Sequence, residues 1–225
     1  MKLTFYGHAC LLLETQGQRM LFDPFISPNP LAASIDVDAI ETDFILVSHG
    51  HQDHLADVES IAKRTGCKVI ANYEVACWFG EKGLETMPMN YGGTWHTPAG
   101  AVKMVNAIHS SVLPDGTHGG NPGGFVITND EDCVYYAGDT ALTMDMKLIG
   151  MQHKVDVAIL PIGDVFTMGV DDAIIASDFV KCDTVVGVHF NTFPPIEVDT
   201  EAAKAKFAEA GKTLIILEIG SSWER

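Results

Sequence analysis

A short apolar run at 44–47, Phe-Ile-Leu-Val, leads directly into Ser48-His49-Gly50-His51-Gln52-Asp53-His54, which places four potential metal ligands within six consecutive positions. The run has the length and composition of a buried strand, so the ligands fall on the loop at its end. A plain turn calls for Gly, Asn or Asp and has no use for three imidazoles. Imidazole nitrogens suit zinc, iron, nickel and copper, and a carboxylate among them can share or bridge a second ion. The segment therefore points to a hydrolytic transition-metal site.

The rest of the chain repeats the same pattern of short strand followed by polar residue. Strand candidates lie at 2–6, 10–15, 19–22, 44–48 and 68–71, then at 102–107, 124–128, 133–137, 155–160, 184–188 and 213–217. A helix is expected where Leu55, Val58, Ile61 and Ala62 recur at helical spacing, with Asp57 and Glu59 in its first turn and Gly66 as its stop. Further helices are expected at 142–151, 171–180 and 200–209, and loops at 23–34 and 113–123. His109, Asp139 and His189 each follow a strand candidate, as the segment 49–54 does. Strand ends and their loops collect at one rim of a sheet, where residues distant in sequence converge. No linker or internal repeat divides the chain, so residues 1–225 are expected to form a single domain.

Composition narrows the choice of partner. The formal charge of -16 and only 14 basic residues, scattered along the chain, argue against a nucleic-acid or anionic-membrane partner and in favour of a small-molecule substrate. Acidity does not exclude an anionic small substrate, because bound cations can reverse the local field. Cys10, Cys67, Cys77, Cys133 and Cys182 are odd in number, widely separated and mostly set in apolar runs. They are expected to be reduced core residues of a cytoplasmic protein, with no CxxC pair to hold structural zinc. The N-terminus has no leader-peptide pattern. A homo-oligomer is left open.

The segment His49-Gly50-His51-Gln52-Asp53-His54, followed in order by His109, Asp139 and His189, resembles the HxHxDH pattern and later ligands of the metallo-β-lactamase superfamily. The resemblance extends to the small metal-dependent hydrolases related to L-ascorbate-6-phosphate lactonase. It is carried by Gly7-His8-Ala9-Cys10, Asp23-Pro24-Phe25, His109-Ser110-Ser111, Tyr136-Ala137-Gly138-Asp139-Thr140, Pro161-Ile162-Gly163-Asp164, Phe166-Thr167-Met168-Gly169 and His189-Phe190-Asn191-Thr192-Phe193-Pro194. It implies an α/β fold, the four-layer αββα sandwich, with two mixed sheets flanked by helices and a dinuclear site at one edge. By that resemblance His49, His51 and His109 hold one divalent ion, Asp53, His54 and His189 a second, and Asp139 bridges them. Zinc is the first expectation for both ions, with manganese, iron or nickel as substitutes according to supply.

Three imidazoles leave a coordination position for water, and a bridging carboxylate keeps two cations about 3.5–4 Å apart, the separation used in two-metal hydrolysis. The expected reaction is attack of a bound hydroxide on an ester, lactone, amide or phosphoester of a small molecule. Asp53 is the candidate catalytic residue, orienting the hydroxide and shuttling its proton. His8 is read either as reaching the site or as satisfying a buried carbonyl. Asp23 is a candidate acceptor for a ligand imidazole. Asp164, Thr167 and Met168 are candidates for the pocket wall, with a surface loop as the alternative. His118 is read as an exposed loop residue, and His96 and His153 as residues without a role. Two readings of other classes stay open: a mononuclear iron redox enzyme on the same fold, and a noncatalytic metal-dependent binding protein. Substrate specificity is placed in the loops 23–34, 87–98 and 113–123.

Overall fold

Side-chain alternation along short strands dictates the architecture. The computed structural model describes residues 1–225 and arranges them as two sheets of seven strands. The first sheet is made of Lys2–Gly7 (β1), Cys10–Thr15 (β2), Gln18–Phe22 (β3), Phe44–Leu46 (β4), Lys68–Asn72 (β5) and Thr86–Met89 (β6), with Ser222–Glu224 (β14) paired to β1 at its edge. Strands β14, β1, β2 and β3 are antiparallel in succession, and β3 to β6 run parallel. The second sheet holds Thr94–Thr97 (β7), Gly100–Asn106 (β8), Gly123–Thr128 (β9), Cys133–Tyr136 (β10), Val157–Pro161 (β11), Thr184–Val188 (β12) and Thr213–Ile215 (β13). Here β7 to β10 are antiparallel in succession and β10 to β13 parallel.

Six helices complete the molecule: Gln52–Leu55 (α1), Val58–Thr65 (α2), Tyr73–Glu81 (α3), Met146–Gln152 (α4), Val170–Phe179 (α5) and Thr200–Glu209 (α6). Successive residues of a strand face opposite sides, and the burial obeys this. Leu11, Leu13, Met20 and Phe22 meet Phe125, Ile127, Val134, Tyr136 and Ile159 in a cluster between the two sheets. The intervening Cys10, Leu12, Leu21, Ile45 and Val69 pack outward against Val58, Ile61 and Phe79 of α2 and α3. On the other sheet Tyr135, Ala158, Leu160 and Val185 pack outward against Ile149, Ala173, Ala176 and Phe207 of α4 to α6. The result is the expected four-layer αββα sandwich with two mixed sheets. Each large side chain buried in these layers contributes about 1.5–3 kcal/mol before entropy is charged.

The topology also gathers the site. Strands β1, β3, β4 and β5 share one direction in the first sheet, as β8, β10, β11 and β12 do in the second. Their carboxyl ends carry His8, Asp23, His49, His109, Asp139 and His189 to one edge, the usual place for ligand-binding loops in such sheets.

Several elements depart from the sequence reading. The expected helix starting at Leu55 is two pieces, because the buried Asp57 at the break accepts hydrogen bonds from Ile26 N (2.6 Å) and Ser27 N (2.9 Å) in the proline-rich loop. Gly66 does stop α2, in the left-handed region at φ 69°. The segment 87–98, expected to be a specificity loop, instead contains the end of β6 and all of β7, edge strands whose half-exposed faces show no apolar alternation. Helix α3 and strand β14 were outside the reading altogether. Of the cysteines, Cys77 is exposed on α3 and the other four are buried. No helix is long and apolar enough to cross a membrane.

Candidate metal centre

Three groups of ligand atoms meet at the strand edge, each within 4.8 Å among themselves: His49, His51 and His109; His8, Asp53, His54 and His189; and Asp23, His49 and His54. The short helix α1 sets the first loop. It carries Asp53 and His54, while His49 and His51 lie in the extended stretch before it, so the four ligands divide between two directions. His49 Nε2 and His51 Nδ1 point at each other at 2.9 Å, and the His109 ring lies 5.1 Å from both. Asp139 sits between the groups: its Oδ2 lies 3.0 Å from His189 Nε2, 3.3 Å from His54 Nε2 and 3.5 Å from His109 Nε2.

The loop of Asp139 reaches this place through Gly138. At φ +62° a side chain is strained, and an added Cβ would stand 2.7 Å from Ser48 Cβ. Across the gap, His189 N donates to His8 O at 2.7 Å and joins the two sheets at the site. His8, Asp23 and His189 all hold left-handed backbone, at φ 55°, 41° and 56°. Such conformations cost about 1–3 kcal/mol each outside glycine and gather at functional sites.

Asp23 explains how the ligands are aimed. Wholly buried, it accepts hydrogen bonds from Ser48 N (2.7 Å), Ser48 Oγ (2.5 Å), Tyr136 Oη (2.7 Å) and the His54 Nδ1 (2.8 Å). With four donors on it, Asp23 serves as the acceptor that fixes His54, and the third ligand group above reduces to His49 and His54. Ser48 Oγ also lies 2.9 Å from His49 Nδ1, which turns the His49 Nε2 outward. Fixing one ring nitrogen this way sets which nitrogen faces a metal. His8 is held by Thr192 Oγ1 at Nδ1 (2.9 Å) and approaches Asp53 Oδ2 at Nε2 (3.1 Å).

The donor set fits a cation. His54 Nε2 and Asp139 Oδ1 are buried at the site without a hydrogen-bond partner, a costly state for protein alone. Burial pushes the His49, His51 and His109 imidazoles below their ordinary range, leaving them neutral, as ligands must be. Burial likewise lowers His8, to about 4. Burial would raise the Asp139 carboxyl, but His54 and His189 hold it well below the usual range. His54 is the counterpart: burial opposes its charge, yet Asp139 and Asp23 hold its proton tightly. A proton on His54 thus balances two buried carboxylates, and a divalent cation at its Nε2 would do the same.

Of the weaker candidates, Asp164 is exposed and held by its own loop, with its Oδ1 accepting from Val165 N. Thr167 is half-buried and donates to Met168 O. Met168 corrects the expectation of a pocket wall, being fully buried in the cluster under α4 to α6. His118 is exposed and accepts from Gly120 N. The sequence reading missed Ser48, Tyr136 and Thr192 as orienting residues. Each gave a sign only by standing close to a ligand: Ser48 beside His49, Tyr136 three residues before Asp139 and Thr192 three after His189. A cleft between β8 and α4, lined by Tyr91, Lys103, Val105, Leu148 and His153, contains none of these groups.

Comparison with known proteins gives one consistent result. The family model described as Beta-lactamase superfamily domain matches residues 2–189. The chain is similar to a UPF0173 metal-dependent hydrolase of Flavobacterium johnsoniae, 54% identical over 100% of both chains, and to one of Christiangramia forsetii, also 54% identical over 100% of both. Among solved structures it is similar to a metallo hydrolase from the hyperthermophilic archaeon Ignicoccus hospitalis, with 33% identity, a TM-score of 0.89 and coverage of 100% of this chain and 98% of that one.

Proposed function

This chain belongs to the metal-dependent hydrolases of the β-lactamase superfamily, and from that premise we propose that it is a hydrolase of a small-molecule ester, lactone or phosphoester whose residues hold two divalent cations. The observation that carries the second cation is Asp139. Its Oδ2 stands within 3.5 Å of imidazole nitrogens from both ligand groups, and its Oδ1 is buried without a partner. In this reading His49, His51 and His109 hold one ion, Asp53, His54 and His189 the other, and Asp139 lies between them. When bound, such ions supply a water acidified to a pKa near 7 and a positive pole for the substrate oxygen.

The remaining roles belong to the chain. Asp53 is the one carboxylate of the group that solvent reaches, with 30% of its side chain exposed. Burial would raise its carboxyl, but His8 and His54 hold it low. It is therefore ionised at neutral pH, and its Oδ2 can accept a hydrogen from the attacking water and aim the oxygen at the substrate. A carboxylate held this low suits orientation better than proton storage. His8, tied to Thr192, steadies the Asp53 oxygen.

The test is metal analysis of protein purified without added metal, then reconstitution with zinc or manganese and assay against lactones, phosphodiesters and thioesters. Two equivalents per chain with turnover of one class is the expected result. One equivalent and no hydrolysis of any class would sink the proposal.

A further inference from the structure

The loops that leave the strands at the site edge share a property the ligand pattern does not require. Segments 23–43, 47–57, 107–122, 137–145, 162–169 and 189–199 contain none of the chain's 14 lysines and arginines. Most cations elsewhere are engaged by other groups, among them Arg19 by Asp43, Arg64 by Glu41, Lys212 by Asp178 and Arg225 by Asp156. Lys147, just inside α4, lies over the Phe179 ring at 4.4 Å. Lys206 borders the cleft beside Asp164 but is bound to Asp171 at 2.7 Å.

In place of cations the same loops present apolar side chains. Leu31, Ile108, Val112, Met144, Val165 and Phe166 are six of the ten large hydrophobic residues exposed to solvent. Two of these loops are fastened beside Asp139, since Ile108 N donates to Thr140 Oγ1 (3.0 Å) and Met168 N to Thr140 O (3.0 Å). Val165 stands at φ 53°, rare for a β-branched residue. On the other flank Phe25 and Phe193 meet the His8 ring edge-on, with centroids 5.5 and 5.4 Å away.

Charge at the centre gives an anionic substrate no purchase either. With two divalent cations bound, Asp23, Asp53 and Asp139 would offset three of the four positive charges brought. A substrate carboxylate or phosphate away from the reacting bond would lose water and gain no partner, which is unfavourable.

We infer that the site takes an uncharged substrate with an apolar group beside the hydrolysed bond, and that the rim of Ile108 and Phe166 binds this group. The inference rests on the hydrolase reading and leaves only uncharged triesters of its phosphoester branch.

Matched substrates test it on the reconstituted enzyme: nitrophenyl acetate, butyrate and hexanoate against the nitrophenyl hemisuccinate, γ-alkyl lactones against their carboxylated counterparts, and bis-nitrophenyl phosphate. The expected result is a kcat/KM at least about tenfold higher for the neutral member of each pair, rising roughly two- to fourfold per added methylene along the short chains. Phe166→Lys should narrow the gap between members. Calorimetric titration with the matched γ-lactams, checked to be intact at the end of the titration, reads the same preference without turnover. Preference for the hemisuccinate, the carboxylated lactones or the phosphodiester overturns the inference and leaves the hydrolase standing. If no member is turned over, the hydrolase reading fails, and equal or stronger binding of the charged lactams then overturns the inference separately.

Discussion

Replacing Asp23 tests how far the centre depends on a residue that is not expected to touch metal. Its carboxylate is wholly buried and accepts from Ser48 N, Ser48 Oγ, Tyr136 Oη and His54 Nδ1 at 2.5–2.8 Å. Asp23→Ala leaves Ser48 N and His54 Nδ1 without an acceptor, while Tyr136 Oη can turn to Ala9 O and Ser48 Oγ to His49 Nδ1. Each stranded buried donor costs about 1–3 kcal/mol, and water entering the small void recovers part of this, so the net loss is about 3–5 kcal/mol. Asp23→Asn keeps the shape but turns an amide NH₂ toward donors, for about 2–3 kcal/mol. Urea unfolding in chelator, with an unchanged slope, measures both. His54 then loses its anchor, and affinity for zinc should fall 10- to 100-fold in either variant. A competition titration with a chromophoric chelator reads that fall. If Asp23→Asn bound zinc within about twofold of the parent while losing the expected stability, the carboxylate would hold the fold together without aiming His54.

Asp139→Asn should release most of one metal equivalent, measurable by elemental analysis; full occupancy together with full turnover would remove Asp139 from between the ions. Gly138→Ala brings a Cβ to 2.7 Å from Ser48 Cβ at a left-handed φ and should cost about 2–4 kcal/mol in urea unfolding. A neutral result there would mean that the 138–140 loop is free to shift. In chelated protein His8 gives a pH signature. Burial lowers it from 6.5 to about 4, so between these values the unfolded chain binds more protons and stability falls as pH drops. The loss approaches about 3 kcal/mol at the lower end. His8→Gln should flatten the curve of unfolding free energy against pH over that window, and an unaltered slope would contradict the assignment.

The strands at 10–13 and 20–22 are legible in the sequence as continuous apolar runs, Cys-Leu-Leu-Leu and Met-Leu-Phe, because a sheet with both faces covered needs apolar residues on each. Edge strands have no such demand. Thr86–Met89, Thr94–Thr97 and Ser222–Glu224 each pair on one side and carry mixed residues, so their pattern is indistinguishable from a loop. Helix α3 was legible in principle, with Asn72 capping Val75 N and with Val75, Ala76 and Phe79 on one buried face. The metal-capable residues stood out because imidazoles have few other reasons to cluster after strands. Of their supports, Asp23 was legible as a carboxylate able to accept from a ligand imidazole, whereas Tyr136 and Thr192 stand near ligands in the sequence but only the fold brings them to Asp23 and to the His8 ring.

Tyr136 shows what this arrangement means for stability and function together. Its ring stacks on Phe22 at 4.6 Å in the cluster between the sheets, and its hydroxyl reaches both Ala9 O and Asp23. The same side chain therefore belongs to the core and to the chain of contacts running from Asp23 to His54. Burial holds the phenol's proton far more tightly than usual, aided by the Asp23 charge, so it remains a donor to that carboxylate at any working pH. A shift of the two sheets against each other moves the Tyr136 hydroxyl, and with it the carboxylate that orients His54. Ligand geometry at the rim is thereby tied to packing in the interior. Tolerance to substitution should accordingly be low along Phe22, Tyr136 and Asp23 and higher at the rim residues Ile108 and Phe166, whose side chains face solvent.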